Sequence, residues 1–126
     1  MKYTAAFCVG ALSVMARQMK PFNPILGETF QASYPSGEEL FMEHTSHHPP
    51  ISHFLMMGRG YELSGYFDFK VKMTAGSLTV HADGPINVKF DDGTHIVFKF
   101  PKNKATGLLM GTKKAFHDGV IEMEDL

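Results

Sequence analysis

From Thr29 onward the side chains alternate between apolar and polar, and turn signals interrupt that alternation every eight to twelve residues. Thr29, Gln31 and Ser33 alternate with Phe30, Ala32 and Tyr34, and Pro35-Ser36-Gly37 is a turn. Leu40-Phe41-Met42 opens a return strand, which His47-His48-Pro49-Pro50 stops. Residues 51–57 are an apolar run ended by Gly58-Arg59-Gly60. Phe67, Phe69, Val71 and Met73 alternate with Asp68, Lys70 and Lys72, a half-buried strand. Ala75-Gly76 turns into 77–82, and Asp83-Gly84-Pro85 turns again. Ile86, Val88 and Phe90 alternate with Asn87, Lys89 and Asp91, and Asp92-Gly93 is a hairpin signal. Residues 95–100, 108–110 and 120–123 complete the expected strands. This spacing predicts a mainly β chain: an antiparallel meander, either an open sheet or part of a barrel.

The N-terminal segment differs. Residues 3–18 hold no proline, and Tyr3, Phe7, Ala11, Val14 and Met15 fall near one helical face, although Gly10 weakens the pattern. As a signal peptide the stretch has a thin basic start at Lys2 and no clear cleavage site. It is also shorter than the roughly 20 apolar residues of a spanning helix. A buried helix is the expectation. Lys20-Pro21-Phe22-Asn23-Pro24 cannot continue it, because two prolines three apart fix φ and push the preceding residues toward extended geometry. The segment is a stiff connector.

The chain has 126 residues, enough for one domain, and its net charge is −1. A general electrostatic grip on nucleic acid needs a basic excess, so no nucleic-acid partner is expected. Any bound anion must be held by a local cluster. One cysteine, Cys8, excludes an internal disulfide framework and fits a reducing, cytosolic setting.

His44, His47, His48 and His53 form the densest group of chemistry-bearing side chains. Zinc takes three or four such ligands. Against that, His47 and His48 are adjacent, so in a strand they point to opposite faces. No cysteine lies nearby, and no metal or other cofactor is expected. Alternatively, two imidazoles on a proline-stiffened loop donate hydrogen bonds to a phosphate, whose charge favours the protonated ring. Lys20 would add fixed charge, and backbone N–H groups the rest of a cradle. The blandest alternative is a strand stop carrying surface histidines. Catalysis has little support: Cys8 sits in an apolar segment, Glu28 and Glu43 are one carboxylate pair among several, and no phosphate-loop motif occurs. No enzyme activity and no catalytic residue are expected. Lys113-Lys114 reads as a solvated turn, with a membrane-facing basic spot as the sharper alternative.

Two segments narrow these alternatives. K-P-F-N-P-I-L-G-E-T-F at 20–30 and E-H-T-S-H-H-P-P at 43–50 resemble the two hallmark segments of the oxysterol-binding-protein family. The family's usual second segment reads E-Q-V-S-H-H-P-P. Glu43, Ser46, His47, His48, Pro49 and Pro50 match it, while His44 and Thr45 depart from it. A-A-F-C-V-G at 5–10 and L-L-M-G at 108–111 also resemble family positions, so the similarity runs over most of the chain in the family's order.

The resemblance implies a nearly closed antiparallel barrel around a tunnel for one lipid, a sterol or the acyl chains of a phosphoinositide. By position, Lys20, His47 and His48 would contact the 4-phosphate of phosphatidylinositol 4-phosphate, with Phe22 and Asn23 against the inositol phosphate region. Exchange of sterol or phosphatidylserine against the phosphoinositide would move lipid between membranes, from a cytosolic protein peripheral to them. The family domain is longer than this chain. Residues 1–126 are therefore expected to be a single partial domain forming an incomplete barrel with a short N-terminal helix, the N-terminal lid and C-terminal portion being absent. A histidine metal-binding protein and a β-sheet interaction remnant that binds no lipid are the alternatives. Unpaired edge strands leave the oligomeric state open.

Overall fold

The computed structural model describes residues 1–13 and 22–126. Among the described residues one helix, α1 (Lys2–Leu12), precedes ten strands: β1 (Thr29–Ser33), β2 (Glu39–His47), β3 (Pro50–Gly58), β4 (Tyr61–Met73), β5 (Ser77–Asp83), β6 (Ile86–Phe90), β7 (His95–Phe98), β8 (Lys102–Thr106), β9 (Lys114–Asp118) and β10 (Met123–Asp125). All pairings are antiparallel and belong to one sheet that does not close. The mainly β architecture is as the alternation predicts.

The sheet is not a simple meander. β4 is long enough to serve two partners on one edge while β3 occupies the other. Tyr61–Gly65 pairs with β6, and Asp68–Met73 pairs with β5. One branch continues as β6-β7-β10, the other as β5-β8-β9. The fork needs close backbone approach, and glycine supplies it. A Cβ on Gly65 would lie 2.6 Å from the Pro85 carbonyl oxygen and 3.2 Å from Ile86 Cα. Gly84, at φ 146°, crosses Tyr66 with equally little room.

Register sorts the side chains into two faces, since alternate residues point oppositely. Phe54, Met56, Leu63, Ile86, Val88, Ile96 and Phe98 share the inner face. Cys8 of α1 packs into the buried cluster that Leu63, Ile86, Val88, Ile96 and Phe98 form. The sheet curls round the helix far enough for His117 Nε2 on β9 to donate to the Leu12 carbonyl, at 3.1 Å. His117 Nδ1 is fixed by Asn103, 2.8 Å away.

Several expectations are corrected. The buried stripe of α1 is Thr4 and Cys8, while Tyr3 and Phe7, expected to face inward, are exposed. The helix is apolar on nearly every side, so periodicity had little to choose by. Val14, Met15 and the rest of the expected helix to 18 lie outside the described residues. Residues 108–110 are a loop between β8 and β9 rather than a strand. Those two strands escape the apolar alternation because their inner residues, Asn103, Ala105, Ala115 and His117, are polar or small. Finally, β4 begins at Tyr61, ahead of the expected Phe67, and Pro50 opens β3 rather than only ending β2.

Candidate functional site

The site is the turn between β2 and β3. Opposite residues run Glu43↔His53 and His44↔Ser52, but the next pair is Ser46↔Ile51, leaving Thr45 as an extra residue. This is a β-bulge, two residues against one. It changes the parity of everything after it. Without the bulge, residues 44 and 47 would face opposite ways. With it, His47 pairs with Pro50 and shares the inner face with His44 and Ser52.

The side chains confirm that parity. His44 Nε2 lies 3.0 Å from His47 Nδ1, and His44 Nδ1 lies 2.9 Å from Ser52 Oγ. His44 is 5% exposed. Both its ring nitrogens are engaged, so it keeps none for a metal or a ligand. His47 has Nδ1 turned to His44 and is itself exposed, which leaves Nε2 as its outward nitrogen. His48 lies in the turn after the strand end, not in the strand, so the two adjacent rings do not diverge: their centroids are 5.0 Å apart. Adjacent residues point apart only in a continuous strand, so adjacency does not keep these two rings from one ligand. The His48–Pro49 peptide is cis.

His53 does not join them. It faces outward, where its Nδ1 is 2.7 Å from Thr45 Oγ1 and its ring lies 5.3 Å from that of Tyr66. Among the described residues no group of three His, Cys, Asp or Glu side chains is arranged to hold a metal.

The other sequence segment meets this one at His44. Gly27 N donates to the His44 carbonyl at 2.8 Å, and His44 N donates to the Glu28 carbonyl at 2.9 Å. Glu28 Oε2 in turn accepts from Ile25 N at 2.9 Å, holding the turn that follows Pro24. Hence the backbone of His44 anchors the Phe22–Glu28 stretch while its ring orients His47. In the sequence His44 reads only as one imidazole in a cluster and as a departure from a pattern, so this role is not visible there. No local sequence signal marks it, because the bulge that brings it to His47 shows only in the strand register. Phe22 is almost fully exposed and Asn23 is exposed. Lys20 lies outside the described residues.

A cavity of about 530 Å3 lies beneath α1, lined by Thr4, Phe7, Met56, Tyr61, Leu63 and Val88 among others. It sits toward the Gly58 end of β3, about 26 Å along the strand from the histidine turn. It belongs to the apolar interior rather than to the histidine cluster. Cys8 is buried, and burial pushes its thiol up from the ordinary value, which suits inert packing and not a nucleophile.

The site is thus a polar turn at one rim of an open antiparallel sheet that curls round a helix and has an apolar inner face. A family model described as oxysterol-binding protein matches residues 1–126. The chain is 36% identical over 115 residues to oxysterol-binding protein 9 of Dictyostelium discoideum, covering 90% of this chain and 27% of that protein. To oxysterol-binding protein-related protein 1D of Arabidopsis thaliana it is 35% identical over 122 residues, covering 95% and 15%. Its fold matches the Osh1 ORD domain in complex with cholesterol at a TM-score of 0.89 and 29% identity, covering 98% of this chain and 31% of that one. The Osh3 ORD of Saccharomyces cerevisiae in complex with PI(4)P matches at 0.89 and 25%, covering 98% and 35%. The chain belongs to the oxysterol-binding-protein family, a family of lipid-binding and lipid-transfer domains, and it spans about a third or less of each of these relatives. No described helix is long and apolar enough to cross a membrane.

Proposed function

We propose that this chain carries the headgroup-gripping part of a non-enzymatic lipid-transfer domain that binds phosphatidylinositol 4-phosphate, alternating it with a sterol or another lipid, at membranes it meets from the cytosol. His47 and His48 contact the phosphate, Phe22 and Asn23 lie against the inositol phosphate region, and Lys20 adds charge. The observation that carries the reading is the joint at His44, where the two hallmark segments are hydrogen-bonded together and His47 is oriented with one outward nitrogen. The neighbours bound to cholesterol and to PI(4)P support both ligand classes. The interior space of about 530 Å3 is of the size of a small-molecule site and suits an apolar body.

The test is extraction of phosphatidylinositol 4-phosphate from liposomes by the purified chain and by His47→Ala/His48→Ala. Loss of extraction in the double variant is the expected result. Unchanged extraction would remove both histidines from the site.

A further inference from the structure

The cavity beneath α1 has a closed apolar end and an open polar one. Leu63 and Val88, each 6% exposed, line the closed end. Tyr3 is 85% exposed, and Arg59 and Gly60 are exposed, so the side that these three line opens to water. Two separate pieces of chain meet at that opening: the first turn of α1, and the hairpin Gly58-Arg59-Gly60 that joins β3 to β4.

Each piece brings one polar group that the fold leaves unused. Thr4, beside Tyr3, lines the cavity and is only 3% exposed. Its Oγ1 is shut off from water and has no hydrogen-bond partner. A buried hydroxyl in that condition costs stability, which a ligand oxygen placed against it recovers. Arg59 takes part in none of the described salt bridges. Glu38 stands near enough for its charge to be felt at Arg59 and Tyr61, but its carboxylate accepts from the Ser36 hydroxyl instead. Small-molecule sites combine an apolar lining with a few polar groups that fix orientation. An apolar chamber of about 530 Å3, with a spare hydroxyl inside and a spare cation at its opening, complements an amphiphile with an anionic head.

We infer that this cavity takes a single-chain lipid carboxylate, a long-chain fatty acid, with its tail inward. The tail covers Met56, Leu63 and Val88. The carboxylate stays at the opening beside the Arg59 guanidinium and accepts from the Thr4 hydroxyl. A wholly apolar body would leave both polar groups as they are. The site lies about 26 Å along β3 from the histidine turn, so its carboxylate is not held where a phosphate would be. The inference deepens the lipid-binding reading by naming the class of the second lipid, and rests on that reading for the cavity being a ligand site.

The experiment is calorimetric titration of the purified chain with decanoate and with decanol, below the concentration at which either aggregates. Affinity is expected to rise about fourfold per added CH2 from octanoate to dodecanoate. Decanol should bind about fivefold more weakly than decanoate, the worth of one exposed ion pair. Arg59→Gln should bring decanoate to the level of decanol and leave decanol unchanged. Glu38→Gln, which removes a nearby negative charge, should tighten decanoate alone. Thr4→Val should weaken decanoate about fivefold or more and raise the melting temperature of the free chain, since it deletes an unpartnered hydroxyl from a buried position. A Thr4 that served packing alone would not give that opposition of signs. His47→Ala/His48→Ala should bind decanoate as the native chain does. Circular dichroism checks the fold of each variant. Absence of decanoate binding by the native chain, equal affinity for decanoate and decanol, or native decanoate affinity in either Arg59→Gln or Thr4→Val overturns the inference. A chain that extracts phosphatidylinositol 4-phosphate and ignores decanoate overturns this inference alone, and one that binds decanoate without extracting the phosphoinositide overturns only the headgroup reading.

Discussion

The bond between His44 and His47 is the most direct handle on the site, and its strength follows from its surroundings. His44 is nearly inaccessible and spends one ring nitrogen on Ser52 and the other on His47, at 2.9 and 3.0 Å. A hydrogen bond between neutral groups contributes about 1 kcal/mol net. His44→Ala removes both bonds and leaves an imidazole-sized gap, so it should destabilise the fold by about 2–4 kcal/mol. His47→Ala removes one bond at an exposed ring, about 1 kcal/mol. The double variant should then fall short of the sum by about 1 kcal/mol, the coupling expected of a direct contact. Urea unfolding of the four proteins measures it. Headgroup affinity, measured with a soluble inositol phosphate, gives a second reading. Ser52 is two hydrogen bonds removed from the ring of His47, yet Ser52→Ala should weaken affinity several-fold, because it frees the ring that orients His47. A coupling energy indistinguishable from zero, together with native affinity in Ser52→Ala, would refute the chain of orientation from Ser52 to His47.

Other consequences follow from the fold and its charges. Asp83 is held at about 2, against an ordinary value of 3.8, first by its hydrogen bond to Lys70 and then by that to Lys99. A carboxyl lowered in the folded state contributes stability that is present above pH 4 and lost as pH falls from there toward 2. Unfolding midpoints of Asp83→Asn should therefore show a shallower decline over that window. Gly65→Ala places a methyl group against the Pro85 carbonyl and should destabilise by about 1–3 kcal/mol, read by thermal unfolding. Ile96→Ala empties a fully buried position and should destabilise by about 2–5 kcal/mol. Cys8, at 2% exposure, should react with a thiol reagent only as fast as the chain opens, and at full speed in denaturant.

What could be read in advance follows the strength of local signals. Strands bounded by Gly, Pro or Asp-Gly turns, such as β5 and β6, announce themselves, because turn chemistry and period-two burial agree. β8 and β9 do not, since burial of Asn103 and His117 is decided by the helix end they reach rather than by their own hydropathy. The fork in β4 left one trace, a lone glycine inside an apolar strand, which marks close backbone approach. The inward stripe of α1 left none, because an apolar helix offers the sheet several equivalent faces. At the site, His47 and His48 were legible as a pattern, but the face on which His47 stands was not. A bulge at Thr45 carries no glycine or proline to signal it, and it becomes visible only as a jump in strand register.

His44 and Thr45, the two departures from the family pattern, both stand at that jump. The extra residue rotates His47 to the inner face, where its Nδ1 meets the ring of His44 at 3.0 Å. Thr45, the residue left over, turns outward and ties its hydroxyl to His53, so both members of the bulge are fixed by a histidine on the face they occupy. The backbone of the same residue 44 accepts from Gly27 and donates to Glu28. A change there therefore acts on three things at once: the ring of His47, the seat of the Phe22–Glu28 stretch and the register of β2 on β3. Substituting His47 or His48 alters contacts with a ligand. Substituting His44 alters whether those contacts can be assembled, which is why its effect should appear in stability and in affinity alike.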